Sequence, residues 1–187
     1  MKRRRTKLAR PSTLERHKWV VEATECQVRA AYARDLAKID GDWGQRRLPH
    51  HVHHHWSWSE IGQKAAECFV VNSSERSMGL WASFKRMVKL PEGRFYRLDY
   101  LEIDPDLVGG PWGEFLLGLV CARALELDVD GLLVPALGET AKFYKSIGAE
   151  QELLRGWTVD KGLLPFVLRR GIVEEVVEEI YEAYLVS

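Results

Sequence analysis

Two short stretches hold the residue types that chemistry requires. In "DLVGGPWGEFLL", Gly109, Gly110 and Gly113 stand between an extended run and an apolar helix. Glycines at such a turn let the N–H groups of the first helical turn approach an anion, with the helix dipole favouring negative charge. Val108, Gly109, Gly110, Trp112, Gly113 and Glu114 carry N–H donors there, and Pro111 carries none. A tight strand-to-helix turn asks for the same glycines on steric grounds alone. Neither GK[ST] nor GxGxxG follows, so the two common nucleotide fingerprints are missing. In "FYKSIGAE", a tyrosine, Tyr144, precedes a short helix end marked by Gly148.

A third stretch, "LPHHVHHHWSW", packs His50, His51, His53, His54 and His55 into six positions. Imidazoles at that density bind Ni, Cu or Zn adventitiously. A dedicated centre draws ligands from separate elements and supports them with outer partners, so no metal is assigned. The loop, with Trp56 and Trp58, could alternatively bind a substrate or supply a base titrating near neutrality. Cys26, Cys68 and Cys121 are odd in number and set among apolar residues, which reads as reduced, buried thiols of a cytoplasmic protein. No apolar run approaches the roughly 20 residues that span a membrane, and no apolar segment follows the basic N-terminus as in a secretory signal.

The elements that must position these residues follow from periodicity. Leu14, Val21, Val28, Tyr32, Leu36 and Ile39 recur at helical spacing, and Ser12/Glu15 and Thr24/Gln27 are capping boxes. Ser12–Asp40 is therefore one long helix, or a short strand at Trp19–Val21 followed by a helix from Thr24. Ser57 and Glu60 open a short helix to about Glu67. "CFVVN" and "MGLWASF" form a hairpin across "SSERS". "RFYRLDYLEI" reads as one longer strand. "WGEFLLGLVCARALEL" is a helix, and "GLLVPAL", apolar on both faces, is a buried strand parallel to its predecessor. "GWTVDKGLLPFVLR" gives two strands or one bent ribbon. Ile172–Leu185 is an amphipathic helix with glutamates outward. The fold class is α+β, with a mixed central sheet flanked by helices.

That order, with two motifs, resembles the GCN5-related N-acetyltransferase (GNAT) superfamily. "VGGPWGEFLL" is similar to the family's [RQ]xxGx[GA] turn at Gly113, with its paired aliphatics at Leu116 and Leu117. "FYKSIGAE" is similar to its FYxxxGF signature at Phe143, Tyr144 and Gly148. Val108, Pro111 and Ala149 depart from these patterns. The resemblance covers about Cys68 to Arg169. It implies acetyl-CoA or another acyl-CoA, its diphosphate held by the amides of Val108, Gly109, Gly110, Trp112, Gly113 and Glu114. Its pantetheine arm would pair with the backbone of Leu101 and Ile103, in a gap between Leu98–Ile103 and Gly131–Leu137. Glu102, or Asp99 as second choice, would be the general base, and Tyr144 would protonate the departing thiolate.

The expected activity is direct acyl transfer to an amine. The alternatives are a degenerate member that binds without chemistry, and a toxin-like enzyme acting on aminoacyl-tRNA. Within one domain the expected parts are a basic arm (1–11), a helical N-terminal part with the His-rich loop (12–67), the acetyltransferase-like core (68–170) and an acidic helix (171–187). Lys+Arg and Asp+Glu both number 27, so the formal charge is zero. That balance speaks against nucleic acid as the main partner, although "MKRRRTKLAR" could contact phosphates. The acidic helix packs on the domain, covers a sheet edge or pairs with a twofold mate in a homodimer.

Overall fold

A computed structural model describes residues 12–44, 46 and 57–186. The basic arm and His50–His55 with Trp56 lie outside the described residues. The N-terminal part is not helical from Ser12. After a 3-10 turn at Thr13–Arg16, strands β1 (Lys18–Val21) and β2 (Thr24–Ala30) form an antiparallel hairpin. Only then comes α1 (Ala33–Gly44). The seven-residue recurrence that mimics a helix is overridden by strict alternation. Trp19, Val21, Cys26 and Val28 are buried, and their neighbours face water. The turn is tight, with Glu22 and Ala23 at φ 49° and 63°, the left-handed conformation of a two-residue hairpin loop. Glycine or asparagine usually fills such positions, so "VEAT" carries no turn signature. Of the two capping boxes, Ser12 does cap the 3-10 turn, accepting from Leu14 N. Thr24 begins a strand.

The short helix after the loop forms as expected: Ser57 caps α2 (Trp58–Lys64) through Glu60 N. The hairpin of β3 (Glu67–Asn72) and β4 (Ser77–Ser83) also stands as read. The long strand does not. β5 (Val88–Leu90) pairs with β6 (Gly93–Arg97), and β7 (Tyr100–Ile103) lies in a different sheet. One five-stranded sheet runs β1-β2-β3-β4-β7. The other runs β5-β6-β8-β10-β9, with β8 at Gly131–Leu137, β9 at Glu150–Gln151 and β10 at Leu163–Arg169. β6 and β8 are parallel, joined by the crossover through α3 (Trp112–Glu126).

Apart from Glu114, Arg123 and Glu126, helix α3 is apolar on all its faces, so most of it must be buried. It lies between the sheets and α5 (Arg170–Tyr184), and Phe115, Leu116, Leu119 and Val120 are fully enclosed. Gly118 permits the close approach of α5: a Cβ there would come 2.4 Å from Ile180 Cγ2. Helix α5 covers the domain, and its tail covers the β1 edge, where Val186 N donates to Lys18 O at 3.0 Å. Helices α1 and α2 cover the opposite face of the first sheet with Leu36, Ile39, Trp43, Trp58 and Ile61. Among the described residues no helix is long and apolar enough to cross a membrane.

Candidate active site

The site begins as a defect in strand pairing. Asp99 N donates to Ala82 O at 3.0 Å, while Tyr100 is the register partner of the same Ala82. Two residues oppose one, a β-bulge that bends the chain. Up to Leu98, whose N–H donates to Leu133 O, the chain follows β8; beyond the bulge, β7 joins β4 instead. β7 and β8 therefore diverge, and a cleft of about 580 Å³ opens between them.

Both strand edges face this cleft. Asp104 N bonds Met78 O, so within the β4–β7 register the even-numbered residues bond β4, and Leu101 and Ile103 turn their N–H and C=O groups into the opening. On the far wall, the Leu133 carbonyl points toward β6, which puts the Pro135 carbonyl on the same edge. Pro135 offers no N–H there, so the parallel ladder cannot continue.

The two sheet faces differ. Leu101 and Ile103 pack toward α3, as do Val134, Ala136 and Tyr144. Tyr100 packs on the opposite face with Trp58 and Phe84. The α3 side of the cleft holds Val108 and Gly113 from the glycine turn, with Phe143 and Tyr144 from α4 (Ala141–Ser146). Gly148, at φ 85°, ends that helix, and Ala149 N returns to Tyr144 O at 3.0 Å.

Glu102 and Tyr144 both line the cleft. Glu102 accepts from Trp58 Nε1 at 2.5 Å. Trp58 is fully buried, so the expectation that it presents a face to substrate is corrected: it orients Glu102 from the core. α2 itself is held by Asp40, which accepts from Ser57 Oγ, Trp58 N and Ser59 N at 2.6–2.9 Å. Tyr144 is buried and stacked on Phe166, with centroids 5.6 Å apart. Burial, and then the neighbouring Cys121, push its phenol well above the usual range, so it stays protonated. Asp99, the second choice for a base, lies 2.6 Å from Arg97 Nε and accepts from Phe84 N at 2.7 Å. Burial nevertheless raises its carboxyl.

At the glycine turn, Gly109 takes φ 91°, and Gly110 N closes back on Leu107 O at 3.3 Å. Pro111 caps α3 without a side-chain bond, which leaves the first amides of the helix, Trp112, Gly113 and Glu114, at an uncapped end. Of the expected cradle residues, Val108 and Gly113 line the cleft, whereas Gly109, Gly110, Trp112 and Glu114 do not. Gly110 N is spent on the turn, a correction to its role as a donor. Trp112 is buried, and its indole donates to Glu22 Oε2 at 3.0 Å.

Sequence reasoning missed Glu22, a carboxylate from the β1–β2 turn beside the cradle. It also missed Phe84, Arg97, Tyr100 and Asp160 on the opposite face. The cysteines are free, and burial raises each thiol to about 12, which rules out easy nucleophilic use. Among the described residues, no three His, Cys, Asp or Glu side chains are placed to hold a metal.

No protein-family model matches this chain, and no curated protein matches it. Solved structures do. An acetyltransferase of the GNAT family from Listeria monocytogenes aligns over 81% of this chain and 99% of its own, at TM-score 0.59 and 14% identity. A SpeG spermidine N-acetyltransferase chimera from Vibrio cholerae and hSSAT aligns over 80% and 98%, at TM-score 0.57 and 15% identity. A tyrosine-to-phenylalanine mutant of the toxin AtaT, bound to the C-terminus of the antitoxin AtaR and acetyl-CoA, aligns over 81% and 97%, at TM-score 0.53 and 18% identity. The likeness extends beyond the Cys68–Arg169 stretch that the motifs covered. The chain has the GNAT acetyltransferase fold.

Proposed function

We propose that the protein transfers an acyl group from acyl-CoA, acetyl-CoA first, to an amine. The observation that carries this is the opening between β7 and β8, with Glu102 on the face of β7 turned toward α2 and Tyr144 on the face turned toward α3. An acceptor entering from the first face meets a carboxylate, and a leaving group on the second meets a phenol.

The residues present suit the cofactor. Leu101 and Ile103 offer strand-like backbone groups to an extended arm, and of the uncapped α3 residues Gly113 lines the cleft, where its amide could meet an anion. The cofactor supplies the activated thioester. Glu102, oriented by Trp58, takes the proton from the attacking amine directly or through one water. With the thioester bound, Tyr144 would give its O–H to the departing sulfur as the amine takes its place at the acyl carbon. Its raised pKa makes it a hydrogen-bond donor that lowers developing charge more than a source of free protons. Tyr144→Phe is expected to lower turnover at least tenfold, in the range of general-acid contributions, with thermal stability retained. Equal turnover removes Tyr144 from the mechanism.

Glu22 favours a second reading, a binding protein that has lost this chemistry. Its carboxylate stands beside Gly110 and Trp112, where a diphosphate would lie. Acetyl-CoA at 100 times its Kd should add about 2.7 kcal/mol to stability. A thermal-shift titration flat to millimolar cofactor decides for the second reading. Charged tRNA, the alternative acceptor that the family resemblance implies, stays among the acceptors to be assayed.

A further inference from the structure

The acceptor face of the cleft carries chemistry that narrows the amine, and the argument rests on the acyl-transfer reading above. Phe84 and Tyr100 form an aromatic corner there, their centroids 5.6 Å apart and planes tilted by 58°. Asp99 lies behind the corner, its side chain only 3% exposed and in contact with Arg97. Asp160 stands exposed at the rim, reached through the loop that leads into β10. Its negative charge is felt by both Asp99 and Tyr100, each already raised by burial. Among the described residues lining the cleft, the carboxylates of Asp99, Glu102, Glu139 and Asp160 stand against the single guanidinium of Arg97, which Asp99 already engages. Leu163 and Pro135 supply apolar wall between the rim and the strand edges.

A carboxylate lining the same cleft as two tilted rings is a setting that attracts an ammonium, by charge and by the ring faces. We propose that this half of the cleft selects an acceptor bearing a second cationic nitrogen, an aliphatic diamine or polyamine, and holds that nitrogen between Asp160 and the rings of Phe84 and Tyr100. The methylenes between the two nitrogens cross the apolar wall, which brings the reacting amine to Glu102. Asp160 is then a specificity-determining residue with no part in the proton transfers.

The test compares cadaverine with n-pentylamine, which share a chain length and differ by one nitrogen. Binding is read by calorimetry, and acyl transfer from acetyl-CoA by thiol release. Wild-type protein should prefer cadaverine by about fivefold or more in both Kd and KM, the scale of one exposed ion pair plus one cation–π contact. The preference should shrink at high salt. Asp160→Asn should remove most of it, whereas Glu178→Gln, on the exposed face of α5, should keep it. Equal affinities for the two amines, an unchanged preference in Asp160→Asn, or acylation of charged tRNA with cadaverine untouched would each overturn the proposal. Tight cadaverine binding without transfer would instead overturn the acyl-transfer reading and leave the recognition standing.

Discussion

Glu22 occupies a strained left-handed position at a hairpin turn, and its carboxylate bonds the indole of Trp112 at the mouth of the helix. Non-glycine residues in that conformation cost of order 1–2 kcal/mol, so the surrounding contacts hold the turn in place. If the cradle takes a diphosphate, Glu22 opposes it. A surface charge pair a few ångströms apart interacts by about 1 kcal/mol. Glu22→Gln keeps an acceptor for Trp112 and removes the charge, so acetyl-CoA should bind about fivefold tighter by calorimetry, with the gain fading as salt rises. Weaker or unchanged binding would place the diphosphate elsewhere. The counterpart on the other side is Tyr144, whose substitution by Phe tests the chemical step itself, as argued above.

Among the elements, the closest fit is that of α3 and α5. Gly118 lies under Ile180, and three Ile180 side-chain atoms fall within 3.1 Å of where a Cβ would be. Isoleucine is stiff at χ1 in a helix, so the pair cannot relax cheaply. Gly118→Ala is expected to lose about 1–3 kcal/mol in chemical denaturation, the usual cost of overpacking, despite alanine's better helix propensity. Ile180→Ala in the same chain should recover part of the loss. A stabilised Gly118→Ala would mean that the helices separate freely. The β7 bulge is the other decisive element, because it alone turns a continuous strand into two strands of different sheets.

Across the molecule, Arg123 ties three parts together. It bonds Glu67 of β3 at 3.0 and 3.2 Å and Glu126 at 2.7 Å, and Glu126 accepts from Ser12 Oγ and Thr13 N of the N-terminal turn. Removing one partner of a buried network leaves charge uncompensated, so Arg123→Met should cost about 3–5 kcal/mol in unfolding. A loss below 1 kcal/mol would show that the carboxylates are already solvated. Acid provides a second readout. Burial pushes the Glu126 carboxyl up, but Thr13, Arg123 and Ser12 outweigh it and hold it below its ordinary value. A folded-state pKa below the unfolded one stabilises at pH above the ordinary carboxylate range, and that stability is lost as pH falls through the lowered pKa. The melting temperature of the wild type should therefore fall more steeply on acidification than that of Glu126→Gln.

Local information carried much of this protein. The α3 and α5 helices, the β3–β4 hairpin, the cap of α2 and the αL end of α4 each announce themselves within a few residues, because period, cap and turn chemistry are local. The glycine turn and Tyr144 were legible for the same reason. The β1–β2 hairpin was not, since its turn lacks glycine and asparagine and its alternation competed with a helical spacing. Nor could the division of "RFYRLDYLEI" be read, because a bulge is set by which neighbour each strand finds. Trp58 on Glu102 and Glu22 on Trp112 join residues 44 and 90 positions apart. Pairings of that kind are written in no stretch of sequence; they arise when two sheets close around α3, and there the cleft acquired its shape and its charges.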